Sequence, residues 1–238
     1  MKILAMDSST PSASVALWET TDGASPDQGT DRGSRRFASP AGHAGRLPEE
    51  AARLLEEAGW RASSLDLVVA TLGPGSFTGV RIALGLAKGM ALGCGVAVQG
   101  VSTLEAMAAG WEAPDGAWLA PTLDARRQEV YAALYRREGE GLRLLDGPVC
   151  AHPEEWLARV RAIVPAAEQA QILWLGDGVP RMALPPEARI HPETTVDPLH
   201  LARWGAKMRL HGGNDDPLLL EPLYLRRPEA EEKKFGKG

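Results

Sequence analysis

"KILAMDSSTPSASVALWETTDG", Lys2 to Gly23, reads as a short buried strand closing on an aspartate, a turn of small polar residues and a second apolar strand. "SASVALWET" follows the turn at Ser8 to Pro11 as the hairpin partner of "KILAM". The same plan recurs in "AWLAPTLDARRQEVYAALYRREGEG", Ala117 to Gly141, where an apolar strand closes on Asp124 and a second runs into a glycine turn. Asp7 and Asp124 take corresponding places, so the chain is expected to fold as two related lobes with a boundary near Gly110 to Gly116.

Between the repeats the pattern alternates. "LDLVVATL" has the unbroken apolar character of a strand covered on both faces, and "GVAVQGV" reads as its parallel neighbour. A helix is predicted from about Leu47, with Pro48, Glu49 and Glu50 in its first turn and Gly59 as its stop. Leu47, Ala51, Leu54, Leu55 and Ala58 form its apolar stripe. Thr20 to Arg36, rich in Gly, Asp, Ser and Thr, is expected to be a loose loop. Later come a helix from Pro153 to Val164, a strand "QILWLGDG" and a helix from Pro198 to Leu210. Strands alternating with helices give an α/β class, with lobes at 1–110 and 111–228 and a disordered, mixed-charge tail at 229–238.

Composition excludes some classes of function. A formal net charge of -5 is the wrong sign for holding nucleic acid by a general basic field. No uninterrupted apolar run approaches the length that spans a bilayer, and the Asp in "MKILAMDSS" comes too early for a signal peptide, so a cytoplasmic protein is expected. The two cysteines, Cys94 and Cys150, sit in apolar sequence and are read as buried free thiols.

Three turns could carry chemistry. Asp7 with Ser8, Ser9 and Thr10 can present hydroxyls and amides to a phosphate, or can satisfy its own hairpin backbone. Asp124 with Ala125, and Gly176-Asp177-Gly178, also end strands, and the three turns can face one cleft. The histidines show no paired spacing, so no metal centre is predicted.

"GPGSFTG", Gly73 to Gly79, follows a strand and opens a helix, yet its last spacing is one residue too long for a dinucleotide fingerprint. It is neither a Walker loop nor a hydrolase elbow. What survives is a tight turn at Gly73, Gly75 and Gly79, with Ser76 or Thr78 as helix cap and Arg81 one turn along. Gly85, Gly89 and Gly93 then recur every fourth residue inside the helix, where each costs about 1 kcal/mol relative to alanine. They make a smooth ridge for a close helix contact, either within the chain or with another molecule.

"LAMDSSTPSASVAL", "GPGSFTGVRIALGLAKGMALGCGVAVQGVSTLEAMA", "LDARRQEVYAALY" and "PLYLRRP" together resemble the bacterial TsaB (YeaZ) family of tRNA threonylcarbamoyladenosine biosynthesis proteins. The resemblance implies two duplicated actin-like, ribonuclease H-like lobes, the second degenerate. It implies a non-catalytic partner of the transferase TsaD, acting with the ATPase TsaE on adenosine 37 of tRNAs that read codons beginning with A, and touching tRNA only through that complex. TsaD carries two metal-binding histidines four residues apart, whereas here His43 is followed at that distance by Leu47. No cofactor is therefore expected for the isolated chain, although ATP or ADP can be met at the partner interface. In this family the two first-lobe helices join TsaD and form a homodimer in its absence, which places Leu47, Ala51, Leu54, Ala83, Gly85, Lys88, Gly89 and Gly93 at the interface. The rival readings are an actin-like ATPase or kinase and, less well supported, a glycoprotease-type peptidase.

Overall fold

The computed structural model describes residues 1–21, 25–38, 46–192, 196–213 and 215–226. His43 and the 229–238 tail lie outside the described residues. The first lobe comprises β1 (Lys2–Asp7), β2 (Ser12–Thr20), β3 (Gly29–Ala38), α1 (Arg46–Glu57), β4 (Leu67–Thr71), α2 (Phe77–Cys94) and β5 (Ala97–Val101). After α3 (Thr103–Ala109) come β6 (Trp118–Arg126), β7 (Glu129–Glu138), β8 (Gly141–Ala151), α4 (Pro153–Ile163), β9 (Leu173–Leu175), β10 (Arg189–His191) and α5 (Pro198–Leu210).

Each lobe holds a five-stranded sheet, in the orders β3-β2-β1-β4-β5 and β8-β7-β6-β9-β10. In both, the first strand pairs antiparallel with its hairpin partner and parallel with the strand that returns after a helix. The repeat seen in the sequence is thus a repeat of topology. "KILAM" is apolar throughout because both faces of β1 are covered: Leu4 and Met6 pack with the residues of α1 and α2, Ile3 and Ala5 with those of α5.

Helices cross the lobe boundary. α3 precedes Gly110 yet packs on β6, β7 and β8, whereas α5, near the end of the chain, packs on β1, β2, β4 and β5. One core cluster consequently draws Ile3 and Val69 from the first sheet together with Leu119 and Leu173 from the second.

Two expectations are corrected. Thr20 to Arg36 is not all loop, because Gly29–Ala38 forms β3, an edge strand paired with β2. Its polar, charged sequence suits an edge exposed to water. Cys94 is exposed at the end of α2 and Cys150 half-buried, so the thiols are free but not both buried.

α2 has the length and mean hydropathy, 1.2, of a bilayer-crossing helix, yet Val80, Ala83, Leu84, Ala87 and Ala91 on its inner face are buried. Its outer face mixes Thr78, Arg81 and glycines with Leu92, which is 58% exposed.

Candidate functional site

β1 delivers Asp7 to the end of the first sheet, where the carboxylate is fully buried. Oδ1 accepts from the Ser9 amide at 3.0 Å, Ser9 Oγ at 2.5 Å and Thr71 Oγ1 at 2.6 Å, and Oδ2 accepts from Thr10 Oγ1 at 3.2 Å. Burial pushes the Asp7 carboxyl above its ordinary range, and the hydrogen bonds from Ser9, Thr71 and Thr10 offset part of that rise. Of the two readings open for this turn, the geometry selects the self-satisfied one. Ser8 Oγ likewise donates inward, to the Gly79 carbonyl at 2.6 Å.

The glycine loop is explained by this turn. A Cβ on Gly75 would stand 2.1 Å from the Ser9 carbonyl oxygen, and one on Gly79 would stand 1.7 Å from that of Ser8. Backbone therefore lies directly on backbone, and the Ser76 amide donates to the Ser9 carbonyl at 2.7 Å. Ser76 Oγ caps α2 by accepting from the Gly79 amide at 3.2 Å. Thr78 is exposed and does not serve as the cap. Arg81 stacks on the loop's Phe77, its guanidinium 3.7 Å from the ring centroid, and its Nε donates to the Tyr224 hydroxyl at 2.7 Å.

The second lobe repeats the backbone arrangement with different chemistry. A Cβ on Gly176 would meet the Thr122 carbonyl oxygen at 2.5 Å, and one on Gly178 the Leu123 carbonyl carbon at 2.7 Å. Asp177 Oδ1 accepts from the Asp124 amide at 2.9 Å. Asp124 itself faces arginines: Arg181 Nη2 donates to Oδ2 at 2.7 Å, and the Arg126 amide donates to Oδ1 at 2.7 Å. Burial pushes the Asp124 carboxyl up, but the hydrogen bonds and charges of Arg181 and Arg126 outweigh it and hold the group below its ordinary value. Arg126, Arg127 and Gln128 all take left-handed backbone, at φ 64, 50 and 63°, which non-glycine residues rarely adopt in succession. That tight turn sets Arg126 on the rim of the cleft between the lobes.

The cleft holds about 530 Å³. Ser9 and Thr10 line it from one side, Gly75, Ser76 and Phe77 from the glycine loop, and Asp124, Ala125 and Asp177 from the other side. Three predicted turns thus meet at one cleft, but Asp7, Ser8, Gly176 and Gly178 stand behind its wall, as do Gly73 and Gly79, and the exposed Arg81 does not line it. Sequence reasoning missed Arg181, whose only signal was a basic residue shortly after the Gly-Asp-Gly turn, and Tyr131 and Phe77 in the lining. Among the described residues, no three or more His, Cys, Asp or Glu side chains gather as a metal-binding group.

The helices assigned to a partner divide into two classes. Leu47, Ala51, Leu54 and Ala83 are at most 3% exposed and form the lobe's own core, so their assignment to an interface is corrected. Gly85, Gly89 and Gly93 are exposed, with nothing among the described residues within 4 Å of an added Cβ. Beside them Lys88 is half-exposed and donates to the Leu220 carbonyl at 3.1 Å.

Comparison with known proteins bears on this arrangement. Residues 38–181 match the family described as TsaD, tRNA N6-adenosine threonylcarbamoyltransferase. The Bacillus subtilis tRNA threonylcarbamoyladenosine biosynthesis protein TsaB is 36% identical over 76% of this chain and 78% of its own length. The chain belongs to the TsaB (YeaZ) family. The TsaB protein of Escherichia coli is 37% identical over 60% of this chain, a match spanning 58% of that relative. YeaZ from Pseudomonas aeruginosa superposes with a TM-score of 0.78 at 31% identity, covering 94% of this chain and 99% of that one. The duplicated sheets are accordingly the actin-like fold of the TsaB family.

Proposed function

We propose that the chain takes part in tRNA threonylcarbamoyladenosine biosynthesis as a non-catalytic scaffold, binding and supporting a TsaD-type transferase together with a TsaE-type ATPase. The target would be adenosine 37 of tRNAs reading codons that begin with A, reached through the complex in the cytoplasm. TsaB-named relatives support the pathway. The ridge of Gly85, Gly89 and Gly93 carries the scaffold reading, because among the described residues nothing packs on it and nothing there offsets its cost in helix propensity. The same ridge would pair two copies when the transferase is absent.

The actin-like enzyme is the second reading, and the cleft between the Ser9-Thr10 and Asp124 turns favours it. Against it stands Asp7, whose carboxylate is enclosed by its own turn and absent from the cleft lining. Nucleotide, in our reading, meets this chain only at the partner interface.

Gly89→Leu tests the ridge. The monomer is expected to keep its fold and gain up to about 1 kcal/mol through helix propensity, while co-elution with a purified TsaD-type transferase is lost. Undiminished co-elution would sink the interface, and phosphate release from ATP by the chain alone would restore the enzyme reading.

A further inference from the structure

A second pocket, of about 390 Å³, lies between the lobes at the other ends of the strands. β2 and β7 run antiparallel to β1 and β6, so residues that follow them lie far from the Asp7 and Asp124 turns. Asp27 after β2, Trp111 in the connection between lobes, and Arg137 and Glu140 around the β7–β8 turn form part of its wall. α5 supplies His200, Arg203, Trp204 and Lys207, the i, i+3, i+4 and i+7 positions of one helix face, while Leu201, Ala202 and Ala206 pack into the core.

The polar groups here are incompletely matched. Arg137 is only 7% exposed; its Nη2 donates to the Ala108 carbonyl at 3.2 Å and the Trp111 carbonyl at 2.7 Å, and its Nε is buried without an acceptor. Arg203 Nε and His200 Nδ1 are also buried and without a partner among the described residues. Among the described residues neither guanidinium is ion-paired, and Arg203 instead lies 4.7 Å from the Trp18 ring centroid. Lys207 differs, since Asp27 at 2.5 Å and Glu140 at 3.2 Å engage its ammonium. Trp204 Nε1 donates to Glu105 at 3.1 Å and Trp111 packs 4.0 Å from His191, which fixes both indoles.

Two guanidiniums that line one pocket with no carboxylate paired to them among the described residues, beside two fixed indoles, point to an anionic ligand. We propose that this pocket binds a small monocarboxylate with a flat apolar body, the carboxylate held by Arg137 and Arg203 and the body set against Trp111 and Trp204. Guanidinium matches the planar carboxylate, and indole faces accept flat apolar groups. Asp27, Glu112 and Glu140 in the lining oppose a multiply charged anion, which disfavours phosphate esters and nucleic acid. The proposal stands independently of the tRNA-modification role.

Calorimetric titration of the full chain with phenylacetate, phenylacetamide and benzyl phosphate tests it. Saturable one-to-one binding of phenylacetate is expected, with about tenfold weaker affinity for the other two probes and for phenylacetate on Arg203→Gln. Arg137→Gln risks unfolding because Arg137 ties down the connection between lobes; half-exposed Arg203 is the safer variant, with its fold checked by its unfolding midpoint. Trp204→Ala should weaken binding as well. Absence of phenylacetate binding, unchanged affinity in folded Arg203→Gln, or equal affinity for benzyl phosphate would overturn the proposal.

Discussion

The Asp7 and Asp124 turns occupy equivalent places in two copies of one topology, yet their carboxylates have opposite surroundings. Asp7 is enclosed by hydroxyls and an amide with no cation bonded to it; Asp124 is held by Arg181 and Arg126 at the cleft wall. A related backbone contact lies beneath both, with a glycine loop set on carbonyls next to the aspartate: Ser8 and Ser9 after Asp7, Thr122 and Leu123 before Asp124. Topology therefore conserved the contact between main chains and left the side-chain chemistry free to diverge. In the first lobe the aspartate became an internal strut; in the second it became one end of a surface ion pair.

The largest effect expected from this comparison lies in the backbone. Gly79→Ala forces a methyl against the Ser8 carbonyl and should cost about 3 kcal/mol in urea unfolding. A loss below about 1 kcal/mol would show that the loop yields easily, and the shared backbone contact would cease to explain the glycines.

Removing the carboxylates separates the two turns next. Asp7→Ala strands the hydroxyls of Ser9 and Thr71, while Thr10 keeps the Ser12 carbonyl, and should cost about 2–3 kcal/mol. Asp124→Ala breaks a pair whose Arg181 partner is substantially exposed, and should cost about 1 kcal/mol or less. Equal losses would erase the distinction between strut and surface pair.

The smallest effect is in pH dependence, where the two aspartates should act with opposite sign. Asp7 is raised in the folded state, so its contribution is fully present below the unfolded pKa and is lost as pH rises through the folded value. Asp124 is lowered, so its contribution is present above the unfolded pKa and is lost as pH falls through the folded value. Stability of the parent relative to Asp7→Asn should therefore decline with rising pH, and relative to Asp124→Asn should increase. Slopes of the same sign would contradict the structural contrast.

Elements with both faces covered were legible from sequence, because "KILAM" and "LVVAT" have no alternative to burial. The edge strands β3 and β8 were not. β3 carries Asp31, Arg32, Arg35 and Arg36, and β8 is largely half-exposed, so neither has the apolar rhythm by which a strand is recognised. α3, seven residues long, was likewise not delineated. The three turns around the cleft were legible as turns, but which of their side chains face it depends on the approach of Thr71 and the glycine loop, a tertiary matter. The glycines of α2 show the same limit: every fourth residue marks a ridge, while only the placement of Ala83 and Ala87 inward shows that the ridge faces out.

The seating of α5 on the first sheet has a consequence for synthesis. β1, β2, β4 and β5 leave the ribosome long before residues 198–210, so one face of the earliest sheet stays uncovered until nearly the whole chain has been translated. The first lobe is begun first and closed last, with the second lobe assembled in between; a nascent chain arrested before Pro198 would present Ile3, Ala5 and Val69 to any chaperone within reach.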